Sequence, residues 1–222
     1  GKPVLLFFGP QHFKKTQWSQ ITSNLATPPR LYTRPHLTNQ AKGSGAFGWP
    51  PVDGGKNVTP GIWQKYVRDL YSRGAKGESV IASVFPKFHD IYQEAGLHKS
   101  YGYLDDQNGK TFEQTLELAW QSNSPLIQIA TWNDYGEGTI IEPTKEFAYR
   151  YLENLQRKFA TNGKFAYTSW DLRLPIMLHQ LRKHHANNKE ITAQLTHASK
   201  LLFASRTAEA KTLLIKLWNQ KQ

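Results

Sequence analysis

The chain has 222 residues, of which 39% are hydrophobic, and a formal net charge of +11. A chain of this length can form one large domain, or one and a half small ones. No apolar run approaches the roughly 20 residues that cross a bilayer. We therefore expect no membrane span. The absence of cysteine excludes disulfides, thiol nucleophiles and thiolate metal sites.

Five short apolar runs predict β-strands in the first part of the chain. They lie at residues 4–8, 30–33, 46–49, 80–85 and 126–132, and most of them end at a glycine or a proline. The run at residues 4–8 is continuous rather than alternating. Such a run is typical of a parallel strand that is buried on both faces.

Helical segments separate these strands. One begins at Thr59-Pro60, a capping residue followed by the proline that helices favour in their first turn, and it ends at Gly74. A second begins near Thr111, which has the spacing of a capping box, and a third begins near Thr144. The alternation of strands and helices predicts an α/β fold with a parallel sheet.

The last quarter of the chain has a different pattern. Strand signals end, and leucines at helical spacing predict three helices at about residues 169–185, 189–204 and 207–218. We interpret them as a small helical appendage of the αα-hairpin type. The predicted boundary separates an α/β portion at residues 1–165 from a tail at residues 166–222.

The positive charge does not by itself indicate a nucleic-acid partner. The 28 lysines and arginines are scattered, and no stretch is as dense as a basic arm. We interpret the excess as a solvated basic face, and nucleic acid is not the expected partner. A basic module that binds an acidic polymer remains an alternative.

Aromatic residues form 13% of the chain, and many lie beside glycine, proline or asparagine. Aromatic side chains in loops present flat apolar faces to ligands, and sugar rings are one such ligand. Trp49 and Tyr32 are candidate stacking platforms, with ordinary packing as the alternative for each. The histidines at 179, 184 and 185 lack a third ligand at suitable spacing, so we expect no metal and no other cofactor.

Two carboxylates follow the fifth predicted strand. Asp134 and Glu137 would face opposite sides of an ideal strand, but Gly136 and Gly138 interrupt it, so both side chains can turn into one pocket. Active sites of parallel α/β folds lie at the carboxyl ends of the strands. Paired carboxylates are the groups that glycoside hydrolysis requires. The alternative is that both are loop acids that cap the next helix.

The segment WNDYGE at residues 132–137, followed by GT at 138–139 and EP at 142–143, resembles the last barrel strand of glycoside hydrolase families 71 and 99. These families are (β/α)8 barrels that act on α-linked glucans and α-mannosides. The first part of the segment is more similar to the α-1,3-glucanases of family 71, and the second part to the endo-α-mannosidases of family 99. Over residues 1–159, the resemblance implies strands four to eight of a TIM-type barrel.

The resemblance also implies roles for individual residues. Glu137 matches the family 99 acid that protonates the departing glycosidic oxygen. Asp134 stands where family 99 has a glutamate, and its shorter side chain fits a base that acts through water, as in the inverting family 71. The expected substrate-binding residues are Trp132, Asn133, Tyr135, His89, Trp49, Tyr32, Gln11 and His12. For His89 the alternative is a hydrogen-bonded loop histidine.

The sequence therefore predicts a glycoside hydrolase, or the C-terminal fragment of one, that cleaves α-linked glycans such as α-mannan or α-glucan in polysaccharide degradation. A catalytically inactive, carbohydrate-binding relative is the second alternative beside the basic module. Because a barrel needs eight strands, we expect the missing N-terminal half in the same parent chain. A periplasmic or extracellular location is expected, and the sequence leaves the cytoplasm open.

Overall fold

The computed structural model describes residues 1–160 and 168–220. The chain divides into two compact units, residues 1–142 and residues 143–222. The domain boundary predicted between residues 165 and 166 falls outside the described residues, so it stays a prediction.

The first unit is built on a five-stranded parallel sheet. Its strands, in the order in which they pair, are β1 (Val4–Phe7), β2 (Arg30–Thr33), β3 (Gly45–Phe47), β5 (Ser79–Val84) and β8 (Ile127–Ile129). Every neighbouring pair is parallel. The prediction of an α/β fold that forms the C-terminal portion of a TIM-type barrel is confirmed, and all five predicted strands are present.

Three helices accompany this sheet: α1 (Lys15–Ser23), α2 (Pro60–Ala75) and α3 (Lys110–Gln121). Helix α2 begins at the predicted proline, whereas α1 was not predicted because Trp18 is its one buried residue. The apolar face of α2 buries Trp63 and Val67 against Phe85 and Phe88, which follow strand β5. This cluster fixes the backbone that leaves the sheet towards the candidate site.

A second, three-stranded sheet was not predicted. It consists of β4 (Lys56–Asn57), β7 (Gly102–Leu104) and β6 (Phe88–His89), in that order across the sheet. Strand β7 pairs in parallel with β4 and antiparallel with β6. Strands of two or three residues are too short to show a hydrophobic period, so they could not be recognised from the amino-acid pattern.

Strand β1 differs from its prediction. Among the residues that the structure describes it pairs only with β2, and its residues Val4, Leu5 and Leu6 are 43%, 42% and 38% exposed. The expectation of a strand buried on both faces was therefore wrong for β1 in this structure. The apolar run was correctly interpreted as a strand, but its position at the sheet edge leaves these side chains uncovered.

The second unit is helical. It contains α4 (Arg150–Ala160), α5 (Leu174–His184), α6 (Lys189–Phe203) and α7 (Thr207–Asn219). The last three match the predicted tail, and they share a core of Leu174, Leu178, Leu181, Leu195, Ala198, Leu214 and Leu217. Helix α4 does not begin at Thr144 as predicted, because Thr144 pairs with Ala148 in an isolated bridge instead. Within the described residues, no helix is both long and apolar enough to cross a membrane.

Candidate active site

A cleft of about 500 Å³ opens at the carboxyl ends of the parallel strands. Phe8, Arg34 and Trp49 enter it just after β1, β2 and β3, and Glu137 enters it from the loop after β8. The full lining consists of Phe8, Arg34, Trp49, Pro50, Val52, Asp53, Phe88, Tyr92, His98, Tyr101 and Glu137. A concave, largely aromatic surface with a few polar groups is typical of a binding site for a small molecule or a sugar.

Two aromatic donors hold the Glu137 carboxyl group. The indole Nε1–H of Trp49 donates to Oε2 at 3.1 Å, and the hydroxyl of Tyr92 donates to Oε1 at 3.4 Å. Trp49 lies two residues after β3, and Tyr92 lies three residues after β6. The position of this carboxyl group is therefore set from both sheets of the first unit.

The pKa of Glu137 is raised above its usual value. Burial is the largest cause, and the negative charges of Asp134 and Asp90 raise the pKa further. The hydrogen bonds from Trp49 and Tyr92 oppose this shift, because they stabilise the ionised form. A carboxyl group with a raised pKa retains its proton closer to neutral pH, as a proton donor in catalysis must.

Asp134 is tied into the loop that carries Glu137. Its Oδ1 accepts the backbone N–H of Glu137 at 3.0 Å, and its own N–H donates to the Thr131 hydroxyl at 3.0 Å. Within the described part of the chain, Oδ2 has no hydrogen-bond partner. Asp134 is not among the residues that line the cleft, so the two predicted carboxylates are neighbours, but only Glu137 lies on the cleft wall.

Backbone contacts fix the same loop against β6. The His89 N–H donates to the Glu137 carbonyl at 2.9 Å, and the Ile91 N–H donates to the Gly136 carbonyl at 3.0 Å. Gly138 has a φ of +66°, and a Cβ there would lie 2.7 Å from the His89 carbonyl oxygen. Both the backbone angle and the close approach therefore require glycine at this position.

The other residues predicted to bind substrate lie in different surroundings. Trp49 lines the cleft. Tyr32 is 2% exposed and its hydroxyl hydrogen-bonds Ser79, so the prediction of a stacking platform at Tyr32 was wrong: the ring lies in the core. Gln11 and His12 are exposed in a short 3-10 helix at Pro10–His12 and are not part of the cleft lining.

Four further predicted residues are exposed near the site without lining the cleft. Trp132, Asn133 and Tyr135 lie on the loop after β8, and the Tyr135 hydroxyl donates to Glu142 at 3.3 Å. His89 is also exposed, and its ring packs edge-on against Tyr103 with 5.2 Å between centroids. Their role in binding a longer ligand stays a prediction.

Several cleft residues were missed by the sequence analysis. Phe8 is the last residue of the strand predicted at 4–8, and Arg34 directly follows the one predicted at 30–33, so the rule that sites form at carboxyl strand ends could have found them. Tyr92, His98 and Tyr101 come from the irregular segment between β6 and β7, whose rings contact one another. That segment has no periodic pattern to reveal it. Among the described residues, no group of three histidines or acids lies close enough to hold a metal ion.

Substituting Trp49 by Phe is expected to raise the pKa of Glu137. The indole hydrogen bond stabilises the carboxylate, so its loss leaves burial and the neighbouring negative charges less opposed. A 13C NMR titration of the Glu137 carboxyl carbon would measure the change. Trp132→Phe removes an indole that makes no such bond, and it serves as the matched control. An unchanged Glu137 titration in Trp49→Phe would contradict the role assigned to the indole.

Comparison with known proteins relates this chain to carbohydrate-active enzymes. No protein-family model matches the sequence. A mutanase of Penicillium rubens is 28% identical over 156 residues, a match that covers 65% of this chain and 32% of the mutanase. An uncharacterized protein, WxcX of Xanthomonas campestris, is 23% identical over 139 residues, which is 60% of this chain and 18% of that protein.

The fold is similar to that of solved glycoside hydrolases. The GH99 endo-alpha-mannosidase of Bacteroides thetaiotaomicron has a TM-score of 0.53 and 18% identity, over 73% of this chain and 57% of the mannosidase. A glycoside hydrolase-like protein has a TM-score of 0.50 and 16% identity, over 72% of this chain and 54% of its own. The chain thus spans about a third of the mutanase and just over half of the mannosidase. It is thus similar in sequence to a mutanase and in fold to a GH99 endo-alpha-mannosidase.

Proposed function

We propose that this chain carries the catalytic acid of a glycosidase that cleaves α-linked glycans. The observation that carries the proposal is Glu137: a carboxyl group on the wall of an aromatic cleft, at the carboxyl end of parallel strands, with a raised pKa. The relationship to glycoside hydrolases supports the reaction class. Because the chain spans only part of these relatives, the activity is proposed for the whole protein.

In the proposed reaction Glu137 is the general acid. As the glycosidic bond breaks, its proton passes to the departing oxygen while positive charge develops on the sugar ring, which becomes oxocarbenium-like. The burial that raises the pKa keeps the proton available for this step. Trp49 and Tyr92 hold the carboxyl group in one orientation and partly stabilise the carboxylate that remains.

Asp134 is the proposed base. Its Oδ1 is occupied by the Glu137 amide, whereas Oδ2 has no partner within residues 1–160 and 168–220, so it can accept a proton from an attacking water. Attack by water from the opposite side of the ring inverts the configuration at the anomeric carbon. Proton NMR of the first product formed from an α-linked substrate would then show the β-anomer.

The proposed substrates are α-mannan and α-glucan chains. The aromatic rings in the cleft offer apolar faces on which pyranose rings can stack, and Asp53, His98 and Tyr101 offer polar contacts to hydroxyls. Exposed aromatic residues on the loop after β8, such as Trp132, could extend the contact to further sugar residues. The assay of several α-linked oligosaccharides identifies the sugar and the linkage.

The test is an assay of the full-length protein against α-1,3-glucan, α-1,4-glucan and α-mannan oligosaccharides, with product analysis by chromatography. We expect at least one series to be cleaved. Binding of an oligosaccharide without cleavage would favour a carbohydrate-binding protein that has lost its chemistry. Neither binding nor cleavage of any member would overturn the proposed function.

We also propose that the protein acts in the periplasm or outside the cell in polysaccharide degradation. The proposed role in degrading a polymeric glycan is what supports this location. Fractionation of the source cells, followed by detection of the protein with a specific antibody, would test this location. Recovery in the cytoplasmic fraction alone would contradict it.

A further inference from the structure

We propose that the cleft contains an anion-binding subsite centred on Arg34, and that the natural glycan therefore carries a carboxylate or phosphate substituent. The inference rests on the proposed function, because it names the substrate class of the same cleft. Arg34 follows β2, whereas the proposed acid and base lie on the loop after β8.

Arg34 is the residue directly after β2, at the end of the strand that faces the cleft. It is only partly exposed, and its guanidinium lies over the ring of Phe8, 5.0 Å from the centroid. Phe8 in turn packs edge-on against Trp49, with 5.0 Å between centroids. The position of the guanidinium is thus fixed by a row of aromatic side chains rather than by an acidic residue.

The charge of Arg34 is not neutralised by the protein. Among the residues that the structure describes, no carboxylate lies within ion-pair distance of its guanidinium, and its Nε–H is buried without an acceptor. A partly buried cation that lacks a counter-ion is unfavourable, and a buried donor without a partner adds to the cost. A ligand that brings its own negative charge into the cleft would remove the first of these costs.

The chemistry of the cleft favours an oxyanion as that ligand. A guanidinium presents a rigid fork of donors that matches carboxylate and phosphate groups in a bidentate manner. Besides Glu137, which holds its proton in the proposed reaction, the cleft lining contains one acidic residue, Asp53. Arg34 also lines the cleft, and its positive charge can offset the repulsion between Asp53 and an anionic glycan.

The same contacts also bear on which sugar residue of the substrate carries the anionic substituent. Arg34 contacts Phe8, Phe8 contacts Trp49, and Trp49 donates its hydrogen bond to the Glu137 carboxyl group, so a series of contacts links the cation to the acid. We expect Arg34 to contact a sugar residue next to the one whose bond is protonated by Glu137. The anionic substituent is expected on that neighbouring residue.

The experiment compares matched neutral and charged oligosaccharides. The α-glucan and α-mannan oligosaccharides are prepared neutral, with C6 oxidised to a uronate, and with C6 phosphorylated. The full-length protein and three variants, Arg34→Gln, Arg34→Lys and Arg30→Gln, are assayed for kcat/KM on each, and Kd is measured in a Glu137→Gln background. Arg30 lies exposed at the opposite end of the same strand, so Arg30→Gln removes the same charge outside the cleft.

We expect the unmodified protein to prefer a charged series over its neutral parent, and Arg34→Gln to reduce that preference by about tenfold to a hundredfold. Arg34→Lys should restore part of the preference, Arg30→Gln should keep all of it, and added salt should weaken it. A preference for uronate or for phosphate alone identifies the substituent. Equal or better use of the neutral series would overturn the subsite while leaving the glycosidase intact. No cleavage or binding of any series would overturn the proposed function itself.

Discussion

Replacing Glu137 by Gln is expected to lower kcat on unactivated α-linked oligosaccharides by about 10²–10⁴-fold, the usual contribution of a general acid. The amide keeps the size of the side chain and one acceptor for the Trp49 indole, so the cleft and its affinity for sugar should survive. Steady-state kinetics together with calorimetric binding would separate the two effects. Retained binding with lost turnover is the expected pattern.

A substrate with an activated leaving group tests directly whether Glu137 is the acid. An α-glycosyl fluoride has a leaving group that needs no protonation, so Glu137→Gln should cleave it at close to the unmodified rate. Glu142→Gln is the matched control, because it changes a glutamate five residues further on, which contacts Tyr135 rather than the cleft wall. Full activity of Glu137→Gln on the unactivated oligosaccharides would refute the role of this residue as the acid.

Replacing Asp134 by Asn is expected to lower kcat by a similar factor, about 10²–10⁴-fold, for a different reason. Asparagine keeps an oxygen at the Oδ1 position, which accepts the Glu137 amide, but its amide nitrogen replaces the Oδ2 that is proposed to act as the base. The loop should therefore remain in place while proton abstraction from water is lost. Kinetics and thermal unfolding measured on the same variant would show this.

The comparison with Asp134→Ala separates chemistry from structure. Alanine removes the acceptor as well, so it should lower the free energy of unfolding by about 0.5–1.5 kcal/mol, the usual value of one hydrogen bond. Asp134→Asn should show little of this loss. If Asp134→Asn were fully active while Asp134→Ala were both unstable and inactive, the aspartate would be a loop acceptor and not a base.

Much of the fold could be predicted because its strands and helices have strong local signals. The run at residues 30–33 matches β2 residue for residue, and Pro60 marks the start of α2 as expected. The failures have local causes. Strand β6 has two residues and no period, and helix α1 buries one side chain, so neither could be recognised from a hydrophobic pattern. The exposure of β1 depends on its neighbours and not on its own residues.

A residue of the candidate site could be predicted only where a recognisable sequence motif lies directly after a predicted strand. The WNDYGE segment identified Glu137, and its place after β8 brought it to the carboxyl edge of the sheet. Tyr32 was misjudged because a tyrosine within a strand can face either side, and its ring turned towards Ser79. Tyr92 and Tyr101 could not be found, since their positions depend on an irregular segment whose path the sequence does not reveal.

The two backbone hydrogen bonds between the 89–91 segment and the loop of Glu137 determine which side chains can vary among related proteins. The donors are the amides of His89 and Ile91, which any residue other than proline provides, and both side chains are exposed. Mutations at these two positions can therefore change the exposed surface beside the cleft without moving the acid. We expect specificity to vary among relatives at these side chains, while proline there and any larger residue at Gly138 are excluded.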